Sequence, residues 1–251
     1  MQPLSTDSIR LAATIALVRD SASGPEVFML QRPAGVDFPD LHVFPGGKVD
    51  AADFAPEIVA DFDDLVASRK LGLSAGGLRY WVAAIRECFE ECGVLLADRG
   101  CEVFAPGSET EAARFTAYRH SLVAGEIDFA SLCGSEGLTI QAGRAYYFSH
   151  WVTPEVAPRR FDTRFFIAEM PAGQFTDGHA WETADEAWVA PGQALEYVAA
   201  GRWQMIAPTL ITLKSIVEYP DVASILAAVA AESHLPELTA DLSHQGMHPL
   251  R

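Results

Sequence analysis

The segment Trp81–Leu96, WVAAIRECFEECGVLL, constrains the fold of this chain more than any other part of the sequence. At about 100° per residue, Glu87, Glu90 and Glu91 fall within an arc of roughly 100° on a helix. The opposite side collects the apolar residues Trp81, Ile85, Cys88, Cys92 and Leu96. We therefore predict a helix whose one face packs on a core while the other concentrates three negative charges.

The three glutamates carry an energetic cost that a bound ion would remove. Like charges at i,i+4, such as Glu87 and Glu91, weaken an isolated helix by about 0.2–0.5 kcal/mol. Carboxylate oxygens are the ligands that Mg²⁺ and Mn²⁺ prefer, so a bound cation reverses this repulsion. A solvated acidic face is the alternative for this helix taken alone. Cys88 and Cys92 lie on the apolar side and are interpreted as core residues.

A second informative segment is FPGGKVDAAD, Phe44–Asp53. The Gly46-Gly47 pair permits backbone conformations and close approaches that are closed to other residues. Asp50 and Asp53 add acceptors to the same loop. Taken alone, this segment is a weak signal and is better explained by a simple turn.

Read together, the two segments resemble the sequence box of the Nudix hydrolases, GX5EX7REUXEEXGU. Gly47 is followed by five residues and then Asp53, which stands where the box has glutamate. The second half corresponds to Arg86–Val94, with Cys88 at the usually aliphatic position. The spacer runs over 54–85, which is 32 residues where the box has seven, so 25 residues are inserted.

A box with a long insert resembles the Nudix subgroup that contains the peroxisomal coenzyme A diphosphatase. Similarity to this subgroup continues in Phe28–Arg32, in Ser149–Phe166 and in ADEAWVAPGQAL, Ala184–Leu195. The resemblance implies an α/β fold, an α/β/α sandwich with a mixed sheet and C-terminal helices. We expect one Nudix domain over residues 1–232, including a helical insert over 54–78, followed by a tail over 233–251.

The resemblance also implies hydrolysis of a nucleoside diphosphate linked to another moiety. Glu87, Glu90 and Glu91 match the family's metal-binding positions, and the carbonyl of Gly46 matches a frequent further ligand to Mg²⁺ or Mn²⁺. Arg86 matches the arginine that orients a helix glutamate through a charge-assisted hydrogen bond. The expected catalytic set is therefore Arg86, Glu87, Glu90 and Glu91.

Arginines are the expected substrate-binding residues, because their planar guanidinium groups suit phosphate oxygens. Arg159, Arg160 and Arg164 form the densest basic cluster of the chain. Pairing with Asp162 is the alternative for this cluster, and Arg32 either meets the substrate or pairs internally.

Two functional classes stay open at this point. The first is a metal-dependent diphosphatase acting on coenzyme A or acyl-CoA, with ADP-ribose or NADH as alternative substrates. The second is a non-catalytic Nudix-fold module that binds a nucleotide and regulates. The intact glutamate set favours the enzyme, in which the general base is Glu87, Glu182 or Glu186.

Composition excludes several partners. The chain has 18 basic and 34 acidic residues, a net charge of −16, which repels polyanions and argues against a nucleic-acid partner. The longest apolar runs, Leu11–Val18 and Val222–Ala231, are too short to span a bilayer.

The four cysteines form no CxxC pair, and no secretory signal is visible, so we expect a cytoplasmic location. A homodimer stays open.

Hydrophobic periodicity predicts the order of the elements. The predicted strands are Ile9–Val18, Glu26–Gln31, Ala145–Val152, Thr163–Met170 and Glu186–Val189. The predicted helices are Ala55–Lys70, Leu78–Leu96, Gly107–Gly125, Pro191–Ala200, Pro208–Val217 and Pro220–Glu232. Ala55–Lys70 has Ile58, Phe62, Leu65 and Val66 on one side, and Ser108 is the expected N-cap of Gly107–Gly125.

Overall fold

A long β-hairpin forms the centre of the sheet in the computed structural model. The structure describes residues 9–32, 40–153, 155, 159–177 and 185–231, so the expected tail at 233–251 lies outside the described residues. The first two strands are joined by a two-residue turn, shorter than the connector predicted between them. In chain order the strands are β1 (Arg10–Ser21), β2 (Gly24–Gln31), β3 (His42–Val43), β4 (Gly46–Lys48), β5 (Ala97–Arg99), β6 (Glu102–Val103), β7 (Leu138–Ile140), β8 (Tyr146–Val152), β9 (Phe161–Glu169) and β10 (Asp185–Val189).

The main sheet is mixed, as predicted. Its order within the described residues is β10-β2-β1-β9-β8, with β3 beside β2 and β4 beside β1. Strands β1 and β9 are parallel, whereas the other pairs are antiparallel. The short strands β6-β5-β7 form a separate small sheet that the sequence pattern did not predict.

Helices cover both faces of the main sheet. They are α1 (Asp64–Lys70), α2 (Leu78–Cys92), α3 (Glu109–Val123), α4 (Phe129–Glu136), α5 (Pro191–Ala199), α6 (Ala207–Ile216) and α7 (Val222–Ala230). Along β1, Ala13, Ile15 and Leu17 pack in the cluster under α2, while Ala16 and Val18 pack in the cluster under α5–α7. This alternation buries both sides of the strand, as in a sheet between two helical layers. The α/β/α sandwich is confirmed.

The predicted helix Ala55–Lys70 is wrong in extent and in its buried side. Pro56–Ile58 is a single 3-10 turn, and α1 begins only at Asp64, where the carboxylate of Asp63 caps the amide of Val66 at 2.9 Å. Leu65, expected in the core, is 61% exposed, because the helix turns Ala67 inward instead. The spacing of apolar residues therefore predicted the wrong helix start, because a proline and a capping aspartate determine where the helix begins.

The insert is nevertheless anchored at both ends. The Asp64 carboxylate accepts the amides of Gly76 and Leu78 at 2.8 and 2.9 Å, which joins the start of α1 to the start of α2. The amide of Ala60 donates to the carbonyl of Ile140 in the small sheet. Helix α3 begins at the predicted cap Ser108, whereas α4 had no counterpart in the sequence prediction.

Across the described residues, every helix is too short or too polar to cross a bilayer.

Candidate active site

Helix α2 carries the predicted carboxylate face. The residues predicted to face the core, Trp81, Ile85, Cys88 and Cys92, are buried. The helix ends at Cys92 rather than Leu96, because Gly93 adopts a left-handed conformation with φ of 74° that favours glycine. The side chains of Glu87 and Glu90 are only 13% and 14% exposed. The acidic face is therefore largely enclosed rather than solvated.

Arg86 organises this face with every N–H of its guanidinium. Its Nε and Nη2 donate to the two carboxylate oxygens of Asp53 at 2.7 and 3.0 Å. Nη2 also donates to the carbonyl of Lys48 at 2.8 Å. Nη1 donates to Glu87 at 2.9 Å and to Glu90 at 3.0 Å. All five donors of the guanidinium are thus used, and the expected orienting role of Arg86 extends to two glutamates.

Asp53 is the residue whose importance the sequence reasoning missed. It is 1% exposed, and its Oδ2 also accepts the amide of Asp50 at 2.7 Å. The bidentate contact with Arg86 places Asp53 under the helix despite the inserted residues that follow it. The available signal was its position in the box, where the shorter side chain still reaches the guanidinium.

The glycine loop lies directly against the glutamates. The amide of Gly46 donates to Glu91 Oε2 at 2.8 Å. A Cβ atom placed on Gly47 would lie 2.5 Å from Glu87 Oε1, so a side chain here would displace the Glu87 carboxylate. Gly47 therefore lets the loop approach this carboxylate closely. The structure brings Gly46 together with Arg86 and the three glutamates.

The carboxylates of Glu87 and Glu90 are buried together at this site, which raises their pKa values. Burial raises the pKa of Glu87 to about 7, and the neighbouring charge of Glu90 adds to this shift against the opposing effect of Arg86. Burial likewise raises the pKa of Glu90. With Asp53, at least three carboxylates share one guanidinium. An added cation would compensate this excess, so the donor set fits a hard divalent metal.

Protein groups hold the carboxylates of the three α2 glutamates in their present positions. Within the part of the chain that the structure describes, no three His, Cys, Asp or Glu side chains converge closely enough to hold a metal ion. Arg86 holds Glu87 and Glu90, while the amide of Gly46 holds Glu91. The described hydrogen bonds of Glu87 and Glu90 to Arg86 each engage one carboxylate oxygen.

The structure does not bring Arg164 to the α2 carboxylates. This arginine is 5% exposed, and its Nη1 donates to the carbonyl of Leu71 and to the hydroxyl of Tyr147, both at 3.3 Å. Its Nε lies 3.6 Å from Asp162, the alternative partner considered above, which also contacts His150 at 2.6 Å. Arg164 thus fastens the insert to β8 and β9.

Arg159 and Arg160 lie immediately before β9. Arg159 is exposed, and the carbonyl of Arg160 accepts the amide of Arg10 at 2.9 Å. Gly46 of β4 pairs with Thr14 of β1, which lies four residues after Arg10. Strands β4 and β9 flank β1 on opposite sides. Because Arg10 pairs with Phe161, Arg160 lies level with Ile9, and strand geometry separates it from Gly46 by about 17 Å along the sheet and about 10 Å across it.

Arg32 and Glu186 share the sheet face that α2 covers. Leu30, in the core under α2, pairs directly with Glu186 of β10. Arg32 follows two residues later, and its amide continues the pairing by donating to Leu41 at 2.9 Å. The Nε of Arg32 is buried without a hydrogen-bond partner among the described residues. Glu182, the remaining candidate base, lies outside the described residues.

Comparison with known protein families identifies the family of this chain. The profile of the NUDT19 Nudix domain matches residues 75–215, more than half of the chain. The chain belongs to the Nudix hydrolases of the NUDT19 type. This membership confirms the resemblance stated from the two halves of the box.

Individual relatives of this Nudix type are moderately similar. The chain is 28% identical over 217 residues to putative nudix hydrolase 7 of Caenorhabditis elegans, covering 86% of this chain and 63% of that protein. It is 30% identical over 212 residues to acyl-coenzyme A diphosphatase NUDT19 of Gallus gallus, covering 68% and 55%. The chain therefore spans 55–63% of the length of these two curated relatives.

A solved structure supports the fold over nearly the whole length. The Nudix hydrolase from Alicyclobacillus acidocaldarius superposes with a TM-score of 0.69 at 26% identity. The superposition covers 90% of this chain and 97% of that one.

Proposed function

We propose that this chain is a divalent-metal-dependent diphosphatase that hydrolyses nucleoside diphosphates linked to another moiety. The observation that carries the proposal is the Arg86 guanidinium, which uses four of its five donors to hold buried carboxylates and the fifth to hold the carbonyl of Lys48 beside the glycine loop. Enclosing several like charges costs free energy, and a cation site is the chemistry that makes use of them. A module that only binds a nucleotide has no need of this arrangement.

In the proposed mechanism, Glu87, Glu90, Glu91 and the carbonyl of Gly46 would hold Mg²⁺ or Mn²⁺. Such an ion would supply neutralisation of the diphosphate charge and a more acidic water molecule. Arg86 keeps the glutamates oriented through charge-assisted hydrogen bonds, so that they need not reorganise during the reaction. A carboxylate then accepts the proton of the attacking water. Glu87 is the first candidate, and Glu182 or Glu186 is the second.

Coenzyme A or an acyl-CoA is the proposed substrate class. The relative from Gallus gallus is named acyl-coenzyme A diphosphatase, which supports this choice. Coenzyme A carries a 3′-phosphate beyond its diphosphate and requires a further cationic contact. Arg159 and Arg160 supply such charge in an otherwise acidic chain, and Arg32 lies on the α2 face of the sheet for the diphosphate end.

A substrate panel tests the proposal. The full chain is incubated with coenzyme A, an acyl-CoA, ADP-ribose or NADH, with Mg²⁺ or Mn²⁺, and products are identified by mass. We expect 3′,5′-ADP and a 4′-phosphopantetheine from the coenzyme A substrates. Faster hydrolysis of ADP-ribose or NADH would move the assignment to those substrates, and metal-supported binding without turnover would favour the regulatory module.

Substitutions in α2 test the site itself. Glu87→Gln and Glu91→Gln are each expected to lower kcat by at least about 100-fold, since charge stabilisation is a leading part of catalysis. Glu109→Gln, at the exposed first turn of α3, is the matched control. Near-normal kcat in both α2 variants would refute the site assignment.

A further inference from the structure

A buried arginine from outside the Nudix box contacts the end of α2. Arg119 lies on α3 and is 2% exposed. Its Nε donates to the main-chain carbonyl of Glu90 at 2.7 Å. The last carbonyls of a helix lack partners within the helix, and a cation at this end also opposes the helix dipole. Arg119 thus satisfies the backbone of a residue whose carboxylate is held by Arg86.

The segment after β9 completes the same contact region. The amide of Asp177 donates to the carbonyl of Cys92 at 2.9 Å, and its carboxylate lies 3.6 Å from Nη1 of Arg119. The side-chain amide of Gln174 exchanges two hydrogen bonds of 2.8 Å with the main chain of Leu95. We call Arg119, Gln174 and Asp177 the C-terminal clamp of α2. It holds the last turn of α2 and the main chain that follows it.

Stability alone is a weak reason for an arginine at this position. The Nη2 of Arg119 is buried and has no hydrogen-bond partner among the described residues. Burying a cation with an unpaired donor costs free energy that an apolar side chain would avoid. The retained guanidinium therefore indicates a requirement for its directed contact with the Glu90 carbonyl.

We propose that Arg119 is a positioning residue that sets where the carboxylates of Glu90 and Glu91 stand to receive the metal. The inference rests on the proposed function, because it concerns the same metal site. Arg86 fixes the Glu90 carboxylate, and Arg119 fixes the turn of main chain from which it projects. Releasing that turn displaces both glutamates without altering any ligand. Such supporting contacts affect metal affinity by about 10- to 100-fold.

Mn²⁺ binding to the full chain without substrate provides the test, measured by calorimetry or by electron paramagnetic resonance. Arg119→Gln is expected to weaken Mn²⁺ binding by at least about 10-fold. Arg119→Lys is expected to lose less, since its ammonium still donates to the carbonyl but lacks the planar geometry. Arg114→Gln is the control: it lies on the same helix and pairs with Glu111 and Glu136, away from α2.

Two further measurements separate positioning from general destabilisation. In Arg119→Gln, amide exchange should accelerate in the last turn of α2 while its first turn keeps the wild-type rate. At saturating Mn²⁺, kcat should recover toward that of Arg114→Gln, with KM for the substrate unchanged. A structural role alone would accelerate exchange along the whole helix and leave Mn²⁺ affinity of the folded fraction unchanged.

The outcomes distinguish this inference from the proposed function. Wild-type Mn²⁺ affinity in Arg119→Gln, with intact turnover in the wild type, overturns the positioning role and leaves the diphosphatase standing. No Mn²⁺ binding by the wild-type chain overturns both. If Arg119→Gln fails to fold, Arg119→Lys decides: an affinity equal to wild type refutes the inference, and an affinity at least about threefold weaker supports it.

Discussion

Removing Arg86 should destabilise the protein far more than removing any surface arginine. The side chain of Arg86 is 9% exposed and that of its bidentate partner Asp53 is 1% exposed. Arg86→Ala leaves Asp53, Glu87 and Glu90 enclosed together with no cation between them. Deleting one partner of a buried ion pair costs about 3–5 kcal/mol, because the other partner stays desolvated and uncompensated.

That free energy converts into a measurable thermal shift. For a protein of this size, 1 kcal/mol corresponds to about 2–4 °C, so Tm should fall by about 6–20 °C. Arg86→Lys should lie in between, since lysine keeps the charge but has three donors where the native side chain uses five. Both variants are measured by thermal and urea denaturation in metal-free buffer, with Arg114→Ala as the exposed control.

The result that refutes this reasoning is equally definite. If Arg86→Ala and Arg114→Ala lower Tm by the same small amount, the five hydrogen bonds only offset the cost of burying the charges. If Arg86→Lys matches the wild type, the fork geometry of the guanidinium contributes nothing to stability.

Three more outcomes are expected. Arg160→Ala should weaken the binding of coenzyme A relative to that of dephospho-coenzyme A by ~1.5–3 kcal/mol, and Arg159→Ala should do the same if Arg159 is the donor. Equal losses for both substrates would exclude these arginines from binding the 3′-phosphate. Amides of α1 and the closing amides of Gly76 and Leu78 should exchange slowly, whereas fast exchange throughout 54–77 would contradict an ordered insert. Burial alone would raise the pKa of Asp162, but the hydrogen bond to His150 lowers it. The stability gap between wild type and Asp162→Asn should therefore be present at pH 5 and shrink as pH falls below about 3.9, measured by urea denaturation.

The parts of the fold that the sequence predicted are those with a strong local signal. The apolar side of α2 follows from a regular spacing of residues, and the cap at Ser108 marks the start of α3. Both signals lie within the sequence of a single helix. The strands β5–β7 depend instead on contacts between distant segments. The pairing of Ala60 with Ile140, for example, joins residues 80 positions apart and leaves no local pattern.

The same distinction separates the predicted and unpredicted parts of the site. Glu87, Glu90 and Glu91 were predictable because one helix presents them at fixed spacing. Arg119 was not, since it comes from α3 and reaches the site through a main-chain carbonyl, which carries no side-chain signature. Its detection needed the packing of α3 against α2, which only the three-dimensional structure supplies.

The long insert and the intact box are compatible for an energetic reason. Lengthening a flexible spacer from seven to 32 residues costs about 1.3 kcal/mol of loop-closure entropy. The buried contact of Asp53 with Arg86 is of larger magnitude, and it closes the spacer immediately before the insert begins. At the other end, Asp64 ties the insert to the first turn of α2. The insert is therefore held between two fixed points, and its added length does not act on the position of the helix carboxylates.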